Sequence, residues 1–420
     1  MAYTELNPKT KKFEFGGVVG TTILSLTLPI FTLIINQLIT PNDKITYDPV
    51  YYLNPFQSYS LWLPYLVWFT SLAILDIIMP GHWVKGTTLR NGQVLNYKIN
   101  GISNCLLLIL VLALRWQLTD GQLPELQFLY DHYMELNVIS FLFAFYLATW
   151  VYLRSFINES KRVLALGGNS GNVVYDWFIG RELNPRSICG LWDIKLYCEL
   201  RPGMLLWFLI NLSCVHHVYL ETDQWNDSLC LITAMQSWYI FDGVLNEEGL
   251  LSMMDIVTDG FGFMLSFGDL TMVPFTYALQ ARWLSENPIT LGYTKISMIL
   301  ALMCLGFTVF HLSNQQKSHF KQGKLNHMKF IPTERGTRLL CDGWWSVSQH
   351  INYLGDWFIS LSWCLTTWFN TPLTYYYSAY FAILLIHRQI RDEEKCHKKY
   401  GKDWEEYQRR VPYKIIPYVY

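Results

Sequence analysis

Charge is what this chain has least of. Lys, Arg, Asp and Glu make up only 15% of its 420 residues, and they nearly cancel to a formal net charge of −1. No global field draws it to nucleic acid, and neither a zinc-finger nor a helix-turn-helix pattern occurs. The nine cysteines (105, 189, 198, 214, 230, 304, 341, 364 and 396) form no CxxC pair, and several lie inside apolar runs. They read as reduced thiols used as small hydrophobes. HExxH and the GxSxG nucleophile elbow are both missing. GGNSG at 167–171 lies between apolar runs and does not follow a strand, so a Rossmann reading fails on context. His216, His217, His311, His319, His350, His387 and His397 build no repeated histidine boxes, which argues against a di-iron membrane oxygenase. Nothing calls for a metal. The opening MAYTELNPKTKKFEF is polar and basic, unlike a cleavable leader, so the first apolar run would serve as its own insertion signal.

What is present is apolar and aromatic: 51% hydrophobic and 16% aromatic residues, with a mean hydropathy of +0.17. That composition points to an all-α polytopic membrane protein. Apolar runs of spanning length fall at 17–39, 58–80, 101–116, 136–156, 203–220, 229–245, 260–281, 293–312, 354–370 and 372–388, which predicts about ten transmembrane helices. The stretch 80–100 reads as a polar loop or hairpin. Basic residues crowd the N-terminus, alternate loops and the tail, whereas LTDGQLPELQFLYDHYMEL and LETDQWNDS are acidic. This alternation predicts that both termini are cytoplasmic. One loop, 246–259, breaks it by being acidic on the expected cytoplasmic side. With no internal repeat or linker, one membrane domain is expected to fill 1–420.

Polar groups in or beside spans are costly, so each needs a partner or a task. Four clusters stand out. In NSGNVVYDWFIGRELNPR (169–186), Asp176, Arg181 and Glu182 are near enough to pair with one another, as a structural knot or as a ligand contact. In 238–263, Tyr239, Asp242 and Asn246 share a helical face, and several carboxylates follow; a proton-holding site and a capping cluster are both open. Lys317 and Lys321 lie four apart beyond a span, suited to a phosphate or simply to a positive flank. The fourth joins GWWSVSQHINYLGDW (343–357) to the tail 387–420, where Asp392 follows Arg388 by one turn and Tyr400 and Tyr407 come after. Together they read as a folded cap over something planar.

These segments resemble the sterol reductase family, which includes the delta-14 and delta-7 sterol reductases and the membrane domain of the lamin B receptor. The resemblance runs from LNPKTKKFEFGG to VPYKIIPYVY, essentially the whole chain. YDWFIGRELNPR and LLCDGWWSVSQHINYLGD look like the family's two signatures. FEFGG, GVLNEEGLLSMMDIVTDGFGFMLSFGDL and PYKIIPYVY look most like its fungal delta-14 branch of ergosterol synthesis. The resemblance implies a multi-pass protein of the endoplasmic reticulum membrane that takes a sterol from the bilayer. NADPH would enter from the cytosol into a C-terminal cofactor-binding half at about 313–420. Carried over by position, the cofactor contacts would be Lys317, Lys321, Leu340, Trp345, Asn352, Tyr353, Arg388, Asp392, Cys396, Tyr400 and Tyr407. Tyr239 and Asp392 would face the sterol double bond as catalytic groups. Contacts with membrane lipids and with other sterol-pathway enzymes are implied, and none with nucleic acid. Two positions depart from the common pattern: many relatives have GWWGxxRH where this chain has Gln349, and Lys321 stands for a common Arg, a point charge in place of a fork.

An isolated carbon–carbon double bond has no carbonyl to stabilise a carbanion, so the expected order is protonation of the diene first and hydride second. That order needs an acid on one side, expected to be Asp392 with Tyr239 as a relay, in a site that excludes water. The alternatives are a delta-7-type reductase, a non-catalytic sterol-binding scaffold, a transporter, and an isoprenylcysteine carboxyl methyltransferase using S-adenosylmethionine. The last is much shorter and leaves the first two hundred residues unexplained.

Overall fold

The computed structural model describes residues 3–39 and 50–420. It is mostly helical and divides into two compact units, Met1–Pro288 and Ile289–Tyr420.

In the first unit, uninterrupted apolar sequence forms α1 (Gly17–Gln37), α2 (Tyr59–Ile78), α3 (Gly101–Leu118) and α4 (Tyr133–Arg154). α5 (Ile194–Leu200) and α6 (Pro202–Thr222) meet at Arg201 and together make one span-length segment, and α7 covers Asp227–Leu245. With α8 (Gly292–Lys321) of the second unit, seven segments among the described residues are long and apolar enough to cross a membrane. The other three runs are helical too, but each fails as one long apolar helix. The run 260–281 breaks into Phe263–Phe267, a π turn at Gly268–Met272 and Val273–Tyr277. Pro274 has no N–H to continue the helical ladder, which favours such a break. The run 354–370 gives α9 (Ile351–Cys364) and a tight turn at Leu365–Thr367, and ends where Trp368 takes a φ of 48°. The last run belongs to α10 (Tyr376–Tyr400), whose second half is charged.

The stretch 80–100 is a hairpin. β1 (His82–Thr88) pairs antiparallel with β2 (Val94–Ile99), His82 opposite Ile99. Tyr97 and Ile99 pack on Leu196, Leu251 and Ile256. The acidic loop that broke the charge alternation is accounted for by what it binds. Glu247 is fully buried, with Oε1 2.5 Å from Arg201 Nη2, while Oε2 accepts from Gly101 N at 2.8 Å. Glu248 Oε1 meets His82 Nε2 at 2.7 Å. Lys195, also fully buried, donates to the carbonyls of Asp255, Ile256 and Asp259, each at 2.8 Å, which uses all three ammonium protons.

Around 165–186 the structure corrects the expected pairing. Asp176, Arg181 and Glu182 do not bind one another. Asp176 receives the backbone N–H groups of Ser170 and Gly171 at 2.8 and 2.9 Å. Arg181 pairs with Glu159, and Glu182 with Arg162 at 2.5 Å. The segment is pinned by backbone contact as well: a Cβ on Gly180, whose φ is 95°, would lie 2.4 Å from backbone atoms of Gly260, Phe261 and Gly262. These interactions favour the knot over the ligand contact for this cluster.

In the second unit, α8 and α9 cross at two glycines. A Cβ on Gly355 would sit 2.7 Å from Phe310 N and 2.8 Å from Gly306 O, and one on Gly306 would sit 2.8 Å from Gly355 O. Small residues at such a crossing let helix backbones approach closely. Gly355→Ala is therefore expected to force the helices apart at a cost of about 1–3 kcal/mol, read as a lower unfolding temperature in detergent. An unchanged Tm would show that the crossing tolerates the methyl group. β3 (Phe330–Pro332) and β4 (Arg338–Leu340) form a small antiparallel hairpin, and α11 (Lys402–Arg410) follows α10.

Candidate functional site

All eleven expected cofactor contacts belong to the second unit, on four pieces of chain. The first is the polar end of α8. Lys317 projects its Nζ over the ring of Trp345, 3.7 Å from the centroid, and Lys321 lies one turn further on, exposed. At that distance the ammonium is held by the ring face as a cation–π contact.

The second piece, Leu340 to Tyr353, explains why the sequence spends so much on CDGWW. Asp342 caps the turn Gly343–Ser346 by accepting from Gly343 N, and its other oxygen accepts from Lys329 N. Gly343 has a φ of 59°, and a Cβ there would meet Gln316 Nε2 at 2.3 Å, so the chain runs against the α8 side chains. Gln316 Oε1 accepts from Trp344 N at 2.9 Å, and Trp345 Nε1 donates to Ser313 O at 2.9 Å. Trp345 is thereby fixed against α8 beneath Lys317. Leu340 is buried with Phe320, Met328 and Trp345. It supports the turn from below.

At the start of α9, Asn352 Nδ2 donates to Asn314 Oδ1 at 3.2 Å, while its own Oδ1 is buried with no hydrogen-bond partner. Tyr353 stacks on His350, ring centroids 4.8 Å apart and planes 15° from parallel. The C-terminal segment closes over this start. Gln349 N donates to Tyr413 O and His350 N to Lys414 O, both at 2.8 Å, and Gln349 Nε2 donates to Val411 O at 2.8 Å. Gln349 is buried and ties the turn to the tail.

The third piece is α10. Arg388, Asp392, Cys396 and Tyr400 recur every fourth residue and so follow one side of the helix. Asp392 Oδ2 lies 3.8 Å from His350 Nε2 and 3.9 Å from Cys396 Sγ. His350 is 5% exposed. Burial pushes its imidazole down to about 4, a fall that Asp392 opposes and Lys317 assists. The ring is neutral at physiological pH, so its contact with Asp392 is polar and not an ion pair. Burial, and secondarily Asp392, raises the Cys396 thiol to about 12, so it is no ready nucleophile. Glu393 behaves oppositely: burial would raise it, but hydrogen bonds from Lys414, Gln389 and Gln408 outweigh burial and lower it. The fourth piece is α11, where Tyr407 is buried with Ile331, Trp404 and Val411 and stacks on Trp404 at 4.9 Å. Burial raises its hydroxyl well above the usual range. Leu340 and Tyr407 thus lie in the interior of the second unit, while Lys317, Lys321, Asn352, Tyr353, Arg388 and Asp392 carry polar and charged groups there.

Tyr239 lies in the first unit, half-buried on α7, its ring centroid 6.4 Å from that of Trp207. Asp242 is on the same helix, while Asn246 lies just past its end and donates to Asp242 Oδ1 at 3.1 Å. Among the described residues, no group of three or more His, Cys, Asp or Glu could hold a metal ion.

The profile of the ergosterol biosynthesis ERG4/ERG24 family matches residues 9–420. The chain is 60% identical over 436 residues to the Delta(14)-sterol reductase ERG24 of Saccharomyces cerevisiae, covering 99% of each chain. It is 53% identical over 452 residues to the Delta(14)-sterol reductase ERG24 of Candida albicans, covering all of both. The chain belongs to the ERG4/ERG24 family. Its likeness extends beyond fungi: the Delta(14)-sterol reductase LBR of Gallus gallus is 40% identical over 418 residues, covering 97% of this chain and 64% of that one.

One feature of this family member escaped the sequence reading. Beside Tyr239, Gln236 accepts from Trp207 Nε1 at 3.0 Å and from Asn211 at 2.7 Å, and donates to Tyr277 O and Gln280. The signal was there, as amides inside apolar runs. His350, part of the GWWSVSQHINYLGDW cluster, was singled out by sequence, but not its approach to Asp392 Oδ2 at 3.8 Å, which no motif records.

Proposed function

We propose that the chain is an NADPH-dependent delta-14 sterol reductase that saturates the C14=C15 bond of a sterol 8,14-diene in ergosterol synthesis. The observation that carries this reading is end-to-end identity of 60% and 53% with proteins named for that activity. With it come the finer parts of the same reading: about ten spans, an endoplasmic reticulum membrane location, cytoplasmic termini and a cofactor cap within the second unit.

The residues of that unit fit a dinucleotide phosphate. Two ammonium groups a turn apart suit phosphates, although Lys321 gives a point charge and no fork. Asn352 Oδ1 and His350 Nε2 are buried polar atoms without partners, as expected of groups arranged around a ligand. Lys317, Lys321 and Arg388 would hold the charged parts of the cofactor, with Trp345, Asn352, Tyr353 and Tyr400 along its rings. When bound, NADPH supplies the hydride that satisfies the tertiary cation at carbon 14.

The protein's own task is the proton. Asp392 donates it to carbon 15, and the positive charge develops at carbon 14, stabilised by the adjoining double bond. An apolar surround that excludes water keeps the cation from being quenched as an alcohol. Tyr239 is the second acid candidate, and Tyr239→Phe tests it separately.

Purified protein incubated with NADPH and a sterol 8,14-diene should yield the 14,15-saturated product by mass spectrometry, and NADH should support less turnover. Reduction of a 7-ene instead would make the chain a delta-7-type enzyme. No reduction of either would leave the sterol-binding scaffold.

A further inference from the structure

We propose that Lys324, Lys329 and Arg338 form a binding site for the phosphate of an anionic phospholipid head group, in the leaflet at the Lys317 end of α8. The inference rests on α8 crossing the bilayer and not on the reduction chemistry. It starts from an asymmetry of charge that the near-zero total conceals. Ile289–Tyr420 holds 16 Lys and Arg against 9 Asp and Glu, whereas Met1–Pro288 holds 16 against 24. Within the second unit, cations gather where α8 ends. Residues 321–342 contain Lys321, Lys324, Lys329, Arg335 and Arg338, all exposed, against the two acids Glu334 and Asp342. Asp342 already accepts the N–H groups of Lys329 and Gly343.

Helix geometry sets the depth of this cluster. On α8, no Asp, Glu, Lys or Arg lies between Lys295 and Lys317. The helix rises about 33 Å from one to the other, which matches a hydrocarbon layer of about 30 Å. Lys295 Nζ stands over the ring of Trp368, 4.9 Å from its centroid, as a lysine and an interfacial aromatic do at a membrane boundary. Lys317 marks the other boundary, and one further turn carries the chain into the head-group layer. The β3–β4 hairpin stays at that level because it folds back along α8. Phe330 and Leu340 pack with Phe320, and Lys329 N is tied to Asp342, next to the Gly343 that lies against Gln316.

Arg338 is held ready for an anion. Its guanidinium lies 5.0 Å from the Phe320 ring and 5.2 Å from that of Phe330, and Nη1 donates to Asn326 Oδ1 at 2.8 Å. Asn326 also donates to Gly323 O at 2.7 Å, which joins Arg338 to the turn that carries Lys324. A fixed planar fork with two point charges beside it suits a phosphodiester. A basic cluster directly beyond a membrane-crossing helix is also where anionic lipid is attracted. Lys317 and Lys321 are assigned to the cofactor and are not part of this site.

The full chain is placed in nanodiscs of phosphatidylcholine with a minor share of phosphatidylserine, then extracted, and its retained lipids are quantified by mass spectrometry. The wild type should enrich phosphatidylserine about fivefold or more over the supplied ratio, the worth of one basic group near an anionic surface. Lys324→Gln combined with Lys329→Gln should return the ratio to the supplied one. Lys398→Gln combined with Lys402→Gln removes the same charge from exposed positions of α10 and α11 and should leave the enrichment intact. In the unmodified protein, enrichment should fall as ionic strength rises. Titration of NADPH onto delipidated protein in detergent should be the same for the Lys324 and Lys329 double variant as for the wild type. No enrichment in the wild type, enrichment insensitive to salt, or enrichment that survives loss of Lys324 and Lys329 would each overturn the proposal. An equal loss in the Lys398 and Lys402 variant would replace the site with a diffuse field. A loss of NADPH affinity in the Lys324 and Lys329 variant would give these lysines to a cofactor phosphate, and the lipid site would fall. Failure to reduce any sterol would count against the reductase reading alone.

Discussion

Asp392→Asn is expected to cut kcat by about 10²–10⁴-fold while NADPH still binds with near wild-type affinity. The amide has the carboxyl's shape, so the neighbouring His350 and Cys396, at 3.8 and 3.9 Å from Oδ2, keep their packing. What it lacks is an ionisable proton. The prediction therefore separates chemistry from binding: equilibrium titration with NADPH should be nearly unchanged, and a single-turnover experiment should show the block in the first step. A deuterium label makes the point independently. If protonation of carbon 15 by an exchangeable acid comes first, wild-type turnover in heavy water should place deuterium there. If the Asn variant turns over normally, the acid is elsewhere, and Tyr239→Phe becomes the decisive variant.

How far the sequence revealed this site depends on the kind of interaction involved. Spans were legible because twenty apolar residues in a row permit little else. The runs at 17–39, 58–80 and 101–116 reappear as Gly17–Gln37, Tyr59–Ile78 and Gly101–Leu118. The interrupted run at 260–281 was legible as apolar but not as broken, since Pro274 is a local signal that sums of hydropathy ignore. Periodic features were readable too. Arg388, Asp392, Cys396 and Tyr400 sit four apart, and helical geometry alone puts them on one side.

Pairings between distant segments were not legible. The sequence suggested that Asp176, Arg181 and Glu182 satisfy each other because they are neighbours in it. The fold instead brings Glu159, Arg162 and two backbone N–H groups to them. Lys195 is held entirely by carbonyls, which every residue carries and no motif records. Gln349 shows the same limit from the other direction. Compared with a common Arg it reads as a lost cation, yet its amide anchors the C-terminal segment through Val411 O, so the substitution has a structural use of its own.

Glu247→Ala is expected to be the most destabilising single change in the first unit. Arg201 is 2% exposed and Glu247 fully buried. Arg201 Nη2 donates to Glu247 Oε1 at 2.5 Å and to Asn100 Oδ1 at 2.9 Å, and Glu247 Oε2 caps Gly101 N at the start of α3. Asp76 Oδ1 stands 3.3 Å from Arg201 Nε, which has no hydrogen bond of its own, so Asp76 is an electrostatic neighbour and a weak substitute. Four segments meet here: the end of α2, the start of α3, the junction of α5 with α6, and the chain beyond α7. Removing the carboxylate leaves a buried guanidinium with only Asp76 as a poorly placed counter-ion, at a cost of about 3–5 kcal/mol, seen as a Tm fall of roughly 5–10 °C in detergent. The double replacement Arg201→Met with Glu247→Leu removes both charges and should recover most of that loss, because an apolar pair carries no desolvation penalty. If Glu247→Ala melts with the wild type, Asp76 alone suffices for Arg201. If the double variant is as unstable as the single one, the knot matters through Gly101 and Asn100, which position α3, and not through its charges.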